Sequence, residues 1–344
     1  MCNIAGYIGE RSAAPILIEM IRAQEGLNGG FYTGIATIDN GKIHYRKVVG
    51  DLDELLRRTD AASLPGSIGI IHSRTPGKLG DQWAHPFVCE RNGEIINAQV
   101  YNGSVGHFSY VDEKRVAIAE RLLSDGYKMN SFTKSGEAKR VRLTDGSLVH
   151  ISDIMCQLIV EKLDTGMSAD IAMEKSFCEM PAEIVGLMLS LAEPEAITYA
   201  RINMPMFVGF ADHGAYLASA PQAFPCDVGV PNLLPALSSG YVKKNGFSAT
   251  AFESAPATVA PLSARVAGEC YGAVVEALKE EKHTLPELAK LVKPIFDSAD
   301  CLQAATAVYA VLYELKKQGV LKIEHSTRPG VFDHLTAPIY YLSI

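Results

Sequence analysis

Short apolar blocks, several with a two-residue alternation, dominate the first two thirds of the chain, and they read as strands more often than as helices. Asn3 to Ile8 opens as a short buried strand. A helix follows, with Ser12 as its cap, Pro15 in the first turn and Ile16, Leu17, Met20 and Ile21 on one face, stopping at Gly26–Gly30. Gly34–Ile38 and Lys42–Arg46 read as strands joined by Asp39-Asn40-Gly41, because Asn-Gly tolerates the positive φ of a hairpin turn. Leu52–Arg58 is a short helix, and Ser67–His72 is a nearly continuous apolar strand that runs into a Gly-rich loop. Glu94–Tyr101 is a further strand, ending in Asn102-Gly103.

Asp112–Ser124 predicts an amphipathic helix closed by Gly126, and 128–149 a surface hairpin turning at Thr144-Asp145-Gly146. Ser152 caps another helix, through Leu163. Strands return at Ile184–Leu191, Ile197–Arg201, Met206–Phe210 and Ala215–Ala218, so a sheet-rich core covered by helices is expected. A Pro/Ala/Ser-rich stretch, Ser254–Pro261, separates a first domain over 1–253 from a second over 260–344. In the second, Leu262, Val266, Tyr271, Val274 and Leu278 share a helical face. Thr284-Leu285-Pro286-Glu287 is a capping box that opens a short helix to Leu291. A longer helix carries Ala305, Val308, Leu312 and Leu315 to Gly319, and strands at Val320–His325 and Ala337–Ile344 complete a winged-helix-like order.

Composition narrows the class. The 344 residues are 48% hydrophobic and 21% charged, as in a soluble globular protein of up to two domains. A net charge of −7 argues against non-specific nucleic-acid affinity. Residues 260–344 hold nine Lys/Arg and ten Asp/Glu, so the second domain lacks the basic surface that phosphate contacts need. DNA binding is therefore not expected, and a structural or dimerisation role, with a homo-oligomer as one outcome, is favoured. No run approaches the ~20 apolar residues of a membrane span, and no basic-then-apolar leader opens the chain. Seven cysteines without CxxC or zinc-like spacing read as reduced thiols of a cytoplasmic protein, with no metal or cofactor indicated.

Chemistry centres on Cys2. Removal of Met1, which a small penultimate side chain permits, leaves a thiol and a free α-amine on one residue. Their ordinary pKa values, about 8.5 and about 8, suit general-base activation of a thiol by its own amine. Taken alone, Cys2 reads first as a small apolar residue opening a buried strand, ahead of a nucleophile.

Four motifs accompany it. Cys2-Asn3-Ile4-Ala5-Gly6-Tyr7-Ile8-Gly9, His72-Ser73-Arg74-Thr75, Ala84-His85-Pro86-Phe87 and Tyr101-Asn102-Gly103 stand in one order, followed by Ser152-Asp153-Ile154, Met206-Phe207-Val208-Gly209 and Leu217-Ala218-Ser219. Together, over roughly residues 2–225, they resemble the class II glutamine amidotransferases, and most of all the glucosamine-6-phosphate synthase branch. The resemblance implies an α+β fold, a four-layer αββα sandwich of the N-terminal-nucleophile hydrolases, followed here by the winged-helix-like unit. It implies L-glutamine as substrate, Cys2 as nucleophile, and Asn102 and Gly103 as oxyanion-hole donors. Arg74 and Thr75 would bind substrate, the guanidinium gripping an α-carboxylate. Asp153 would take the α-ammonium or, on its own residues, cap a helix. His85 is expected to fix its loop by hydrogen bonds.

The chain also departs from the pattern. Asn3 replaces a Gly, Thr75 a Trp, and the loop between His72 and His85 is short, with Trp83 either closing over substrate or packing. The 85 residues from Ala260 cannot supply two sugar-isomerase domains, so ammonia would pass to a separate acceptor enzyme or subunit. Two alternatives stand beside glutamine hydrolysis: a hydrolase of the same type acting on another amide, and a catalytically silent glutamine sensor.

Overall fold

The computed structural model describes residues 2–134, 136 and 141–344. Met1, Ser135 and residues 137–140 of the expected hairpin lie outside the described residues. The chain begins β1 (Asn3–Gly9), α1 (Ala13–Arg22), α2 (Glu25–Asn28), β2 (Tyr32–Asp39), β3 (Lys42–Val49), α3 (Leu52–Arg58) and β4 (Ile68–Arg74). The hairpin β5 (Phe87–Arg91) and β6 (Glu94–Ser104) follows, then α4 (Asp112–Ser124), α5 (Ile151–Asp164) and α6 (Ala169–Glu179). Next come β7 (Glu183–Ser190), β8 (Ile197–Arg201), β9 (Phe207–Ala211), β10 (Gly214–Ala218) and β11 (Asn232–Leu233). β12 (Ser238–Lys243), β13 (Gly246–Phe247) and β14 (Thr250–Ala251) finish this part. The remainder is α7 (Ala264–Glu280), α8 (Leu285–Ser298), α9 (Ala304–Lys317), β15 (Lys322–Pro329) and β16 (Thr336–Ser343).

Two antiparallel sheets face each other. One runs β11-β9-β10-β1-β4-β2-β3, the other β13-β12-β8-β7-β6-β5 with β14 on β12. Their facing side chains, among them Ile4, Ile8, Ile70, Val100, Leu187 and Ile197, form a dry core between the sheets. The outer face of the first sheet buries Ala5, Tyr7 and Ile71 under α1 and α3. The outer face of the second buries Tyr101, Ile184 and Met188 under α4, α5 and α6. The result is the expected order of four layers, helix, sheet, sheet, helix.

Local chemistry accounts for most element ends. Asn40 and Gly41 take φ of 47° and 72°, the turn that closes β2 onto β3. Asp51 caps α3 by accepting from Glu54 N at 3.0 Å. Three expectations need correcting. The strand expected to end at Asn102-Gly103 runs on to Ser104, with both residues inside β6, opposite Val185 and Ile184 of β7. His150, not Ser152, caps α5, with its Nδ1 accepting from Ser152 N at 3.1 Å. The 128–149 segment does turn at Thr144–Gly146, but Val141, Leu143, Leu148 and Val149 are buried, so it is not a purely surface hairpin.

The last three helices and the β15–β16 ribbon share a core of their own, built around Val274, Leu288, Val308, Leu312 and Leu342. That core is continuous with Leu27, Phe207 and Ala220 of the sandwich. Polar bonds cross the same seam: Arg201 Nη2 donates to Thr306 Oγ1 at 3.3 Å, Asn203 Nδ2 to Leu302 O at 2.8 Å and Lys316 Nζ to Gln222 O at 2.7 Å. α9, the helix that a groove-reading module would expose, therefore lies against the sandwich. Among the described residues no helix is long and apolar enough to cross a membrane.

Packing at the seam is tight at Gly26 in α2, where a Cβ would sit 2.3 Å from the ring of Tyr340 in β16. Gly26→Ala is therefore expected to destabilise by about 1–3 kcal/mol despite its gain in helix propensity. A lower thermal midpoint that recovers when Tyr340→Ala opens the space would verify this. A midpoint unchanged by Gly26→Ala would contradict it.

Candidate active site

Alternation along a strand sends successive side chains to opposite faces. In β1, Ile4 and Ile8 enter the core between the sheets while Ala5 and Tyr7 face the helices. Cys2, one step before the strand, continues the inward series and reaches a cavity of about 970 Å³ at the end of the sandwich. Its backbone N–H donates to Asn102 Oδ1 at 2.8 Å. Asn102 Nδ2 donates to Ser219 Oγ at 3.4 Å, and Ser219 Oγ accepts from Ile4 N at 3.1 Å. The head of β1 is thus held against β6 of the opposite sheet. At Gly103 a Cβ would lie 2.2 Å from the Glu183 carbonyl oxygen, so the backbone beside the cavity admits only glycine.

The thiol is buried, with Sγ 3.9 Å from Thr75 Oγ1. Burial pushes the thiol pKa up, but the hydrogen bonding and charge of His72, helped by Thr75, outweigh it and bring the pKa down to about 6. His72 Nε2 donates to the Tyr101 carbonyl oxygen at 2.9 Å, which leaves Nδ1 as the ring atom that carries a second proton toward the thiolate. His72 received no role from the sequence. Its place at the end of an apolar strand, two residues before Arg74, was the available signal.

His85 does not fix its loop by hydrogen bonds. Both ring nitrogens are buried without partners, and the ring stacks on His72 at 3.9 Å and meets Phe87 and His150 edge-on. Burial, with the nearby His72 charge, holds its pKa well below the usual range, so it packs as a neutral ring.

Arg74 ends β4 at the cavity wall. Its guanidinium lies 4.7 Å from the centre of the Tyr32 ring, and Nη1 donates to Trp83 O at 3.3 Å. No carboxylate among the described residues pairs with it. The short loop after Arg74 is tied down by Tyr32, whose hydroxyl donates to Leu79 O at 2.8 Å and accepts from Leu79 N at 3.1 Å. Trp83 is buried in the wall, donating through Nε1 to Ser131 O at 3.0 Å.

Asp153 is not brought to the cavity. Because α5 starts at Ile151, Asp153 turns into the protein, where Oδ2 accepts from Ser131 N and Ser131 Oγ, both at 2.7 Å. Burial raises its pKa to about 6, the Ser131 bonds opposing the rise. Among the described residues no Asp or Glu lines the cavity, whose far wall is apolar, with Met155, Met180 and Ile184. Nor is any group of three His, Cys, Asp or Glu side chains placed among them to hold a metal ion.

Two antiparallel sheets thus face each other across a dry core, with Cys2 at the end of a central strand. The solved glutamine phosphoribosylpyrophosphate amidotransferase from B. subtilis has this fold, with a TM-score of 0.57 at 16% identity over 73% of this chain and 49% of that one. Sequence comparison brings in the second likeness. The chain is 29% identical over 226 residues to the glutamine–fructose-6-phosphate aminotransferase (isomerizing) of Pyrococcus horikoshii, 65% of this chain and 33% of the relative. It is 31% identical over 221 residues to that of Clostridium tetani, 64% of this chain and 31% of the relative. No family model matches. The chain is thus related to the class II glutamine amidotransferases over about two thirds of its length, and it spans about a third of the length of those curated relatives.

A thiol at about 6 is half ionised near that pH, so alkylation of Cys2 by iodoacetamide is expected to rise through pH 6 and level off above it. His72→Gln removes the charge that lowers the pKa, so the midpoint should move up toward or beyond the ordinary value of about 8.5. Rates followed by mass spectrometry from pH 5 to about 9 check both; an unmoved midpoint in His72→Gln would remove His72 from the account.

Proposed function

We propose that the chain hydrolyses the side-chain amide of L-glutamine, using Cys2 freed of Met1. Cys2 Sγ, its proton already held by the α-amine, attacks the amide carbon as a thiolate, and the carbonyl oxygen becomes an oxyanion. Asn102 Nδ2 turns from Ser219 to that oxyanion, joined by the Gly103 N–H. Collapse breaks the C–N bond, ammonia leaves with the proton returned by the α-ammonium, and a thioester remains. Water adds to the thioester, the same amine again takes a proton, and glutamate departs as the thiol reforms.

The observation that carries this reading is the meeting in one cavity of Cys2, Thr75 and an Arg74 guanidinium that pairs with no carboxylate among the described residues. A half-buried cation so placed favours an anionic ligand, and a substrate α-carboxylate supplies two acceptors for its fork. The ammonia is read as passing to an acceptor enzyme or subunit, as its relatives' names imply an acceptor for the amide nitrogen. The C-terminal unit is read as a winged-helix-like module in a structural role, and the protein as cytoplasmic.

A second reading rests on the wall itself. Asp153 points elsewhere and the described wall is cationic and apolar, which suits an amide carrying a carboxylate but no free α-ammonium, with an apolar group against Met155 and Met180. Ammonia release from glutamine, compared with release from an N-acylated glutamine, separates the two.

Cys2→Ser is expected to reduce ammonia release by about 10³-fold or more, and Asn102→Ala by about 10²–10³-fold in kcat. Arg74→Lys keeps the charge but loses the fork, so KM for glutamine should rise about tenfold or more with a smaller change in kcat. Ammonia assays on protein whose intact mass lacks Met1 test all three. Full turnover in Cys2→Ser would overturn the reading.

A further inference from the structure

Asn3 follows the nucleophile and faces away from the cavity, toward the C-terminal unit. Its side chain is fully buried: Nδ2 donates to Gln24 O at 2.6 Å, and Oδ1 accepts from the Tyr309 hydroxyl at 3.1 Å. Tyr309 lies on α9, is itself fully buried, and is anchored by its own carbonyl, which accepts from Gln222 Nε2 at 3.3 Å. A helix of the C-terminal unit thus reaches through the sandwich wall to within one residue of Cys2.

We infer that Tyr309 is a positioning residue for the nucleophile, and that the C-terminal unit completes the active site by holding Asn3. The inference rests on the proposed role of Cys2. Cys2 precedes the first paired residue of β1, so its sulfur is placed by two side chains acting on the strand head from opposite faces. Asn102 holds the Cys2 nitrogen from the inner face, and Tyr309, acting through Asn3, sets the outer one. An amide side chain bridging Gln24 and Tyr309 fixes the Asn3 side chain in one orientation, which a glycine at this position cannot do. Without the hydroxyl, Asn3 Oδ1 is a buried acceptor with no donor, and the strand head moves to satisfy it. A displacement on the order of 1 Å costs an aligned nucleophile up to about 10²-fold.

The ribbon braces the same end independently. Arg328 lies 4.7 Å from the centre of the Phe31 ring and its Nη2 donates to Gly29 O at 3.4 Å, next to Tyr32, which holds the loop beside Cys2.

The test compares Tyr309→Phe, Asn3→Ala, their combination and Asn203→Ala, which removes a bond of the same seam that touches neither Tyr309 nor Gln222, in the full chain. Two readouts are taken: the rate of Cys2 alkylation by iodoacetamide at saturating pH, and kcat and KM for glutamine. Tyr309→Phe is expected to slow both alkylation and kcat about tenfold with KM within about twofold. Adding it to Asn3→Ala should change nothing further, and Asn203→Ala should match the unaltered protein. If alkylation responds in this way but glutamine is not turned over, the substrate reading fails and the positioning role stands. Unchanged alkylation in a folded Tyr309→Phe, or an equal loss in Asn203→Ala, overturns the inference.

Discussion

The bond from the Cys2 nitrogen to Asn102 Oδ1 is the constraint on which the site depends. It joins the head of a central strand in one sheet to the end of a strand in the other, across the mouth of the core. Without it, the residue before β1 has no ladder partner and its side chain has no fixed direction. With it, the thiol, Arg74 and the Gly103 backbone meet in one cavity although they come from three strands. Ser219 adds to the same knot by binding both Asn102 and the Ile4 nitrogen.

Electrostatics around that knot follow from burial. His85 is kept neutral by desolvation, so His72 is the ring that bears on the thiol, and its Nε2 is tied to a backbone carbonyl. Cationic side chains reach the cavity wall, while the buried acid Asp153 is spent on holding Ser131. The site is therefore built to stabilise negative charge, on the thiolate and on whatever enters beside it.

Much of the layering was legible because strands with one buried face leave an alternating trace, as in β1, β2, β7 and β10, and because Asn40-Gly41 and the Thr284–Glu287 box carry their own local chemistry. Helix α6 went unread, its apolar residues being scattered among charges, and so did β5, a five-residue strand next to a polar loop. Asn102-Gly103 marked the expected end of β6 because Asn-Gly is turn-like in composition; long-range pairing with β7 carries the strand through it. Asp153 could not be placed by sequence, since the register of α5 depends on His150 closing its first turn. The role of His72 was hidden because it arises from contacts with Tyr101 and His85, and no spacing encodes them.

The Tyr309–Asn3 bond spans 306 positions of the chain. On the ribosome β1 emerges long before α9, so until α9 is made the Asn3 side-chain oxygen lacks its Tyr309 donor. Closure of a loop this long is slow relative to local hairpins and helices. The outward face of the β1 head is thus among the last parts of the sandwich to be fastened, whatever the order in which the two sheets form.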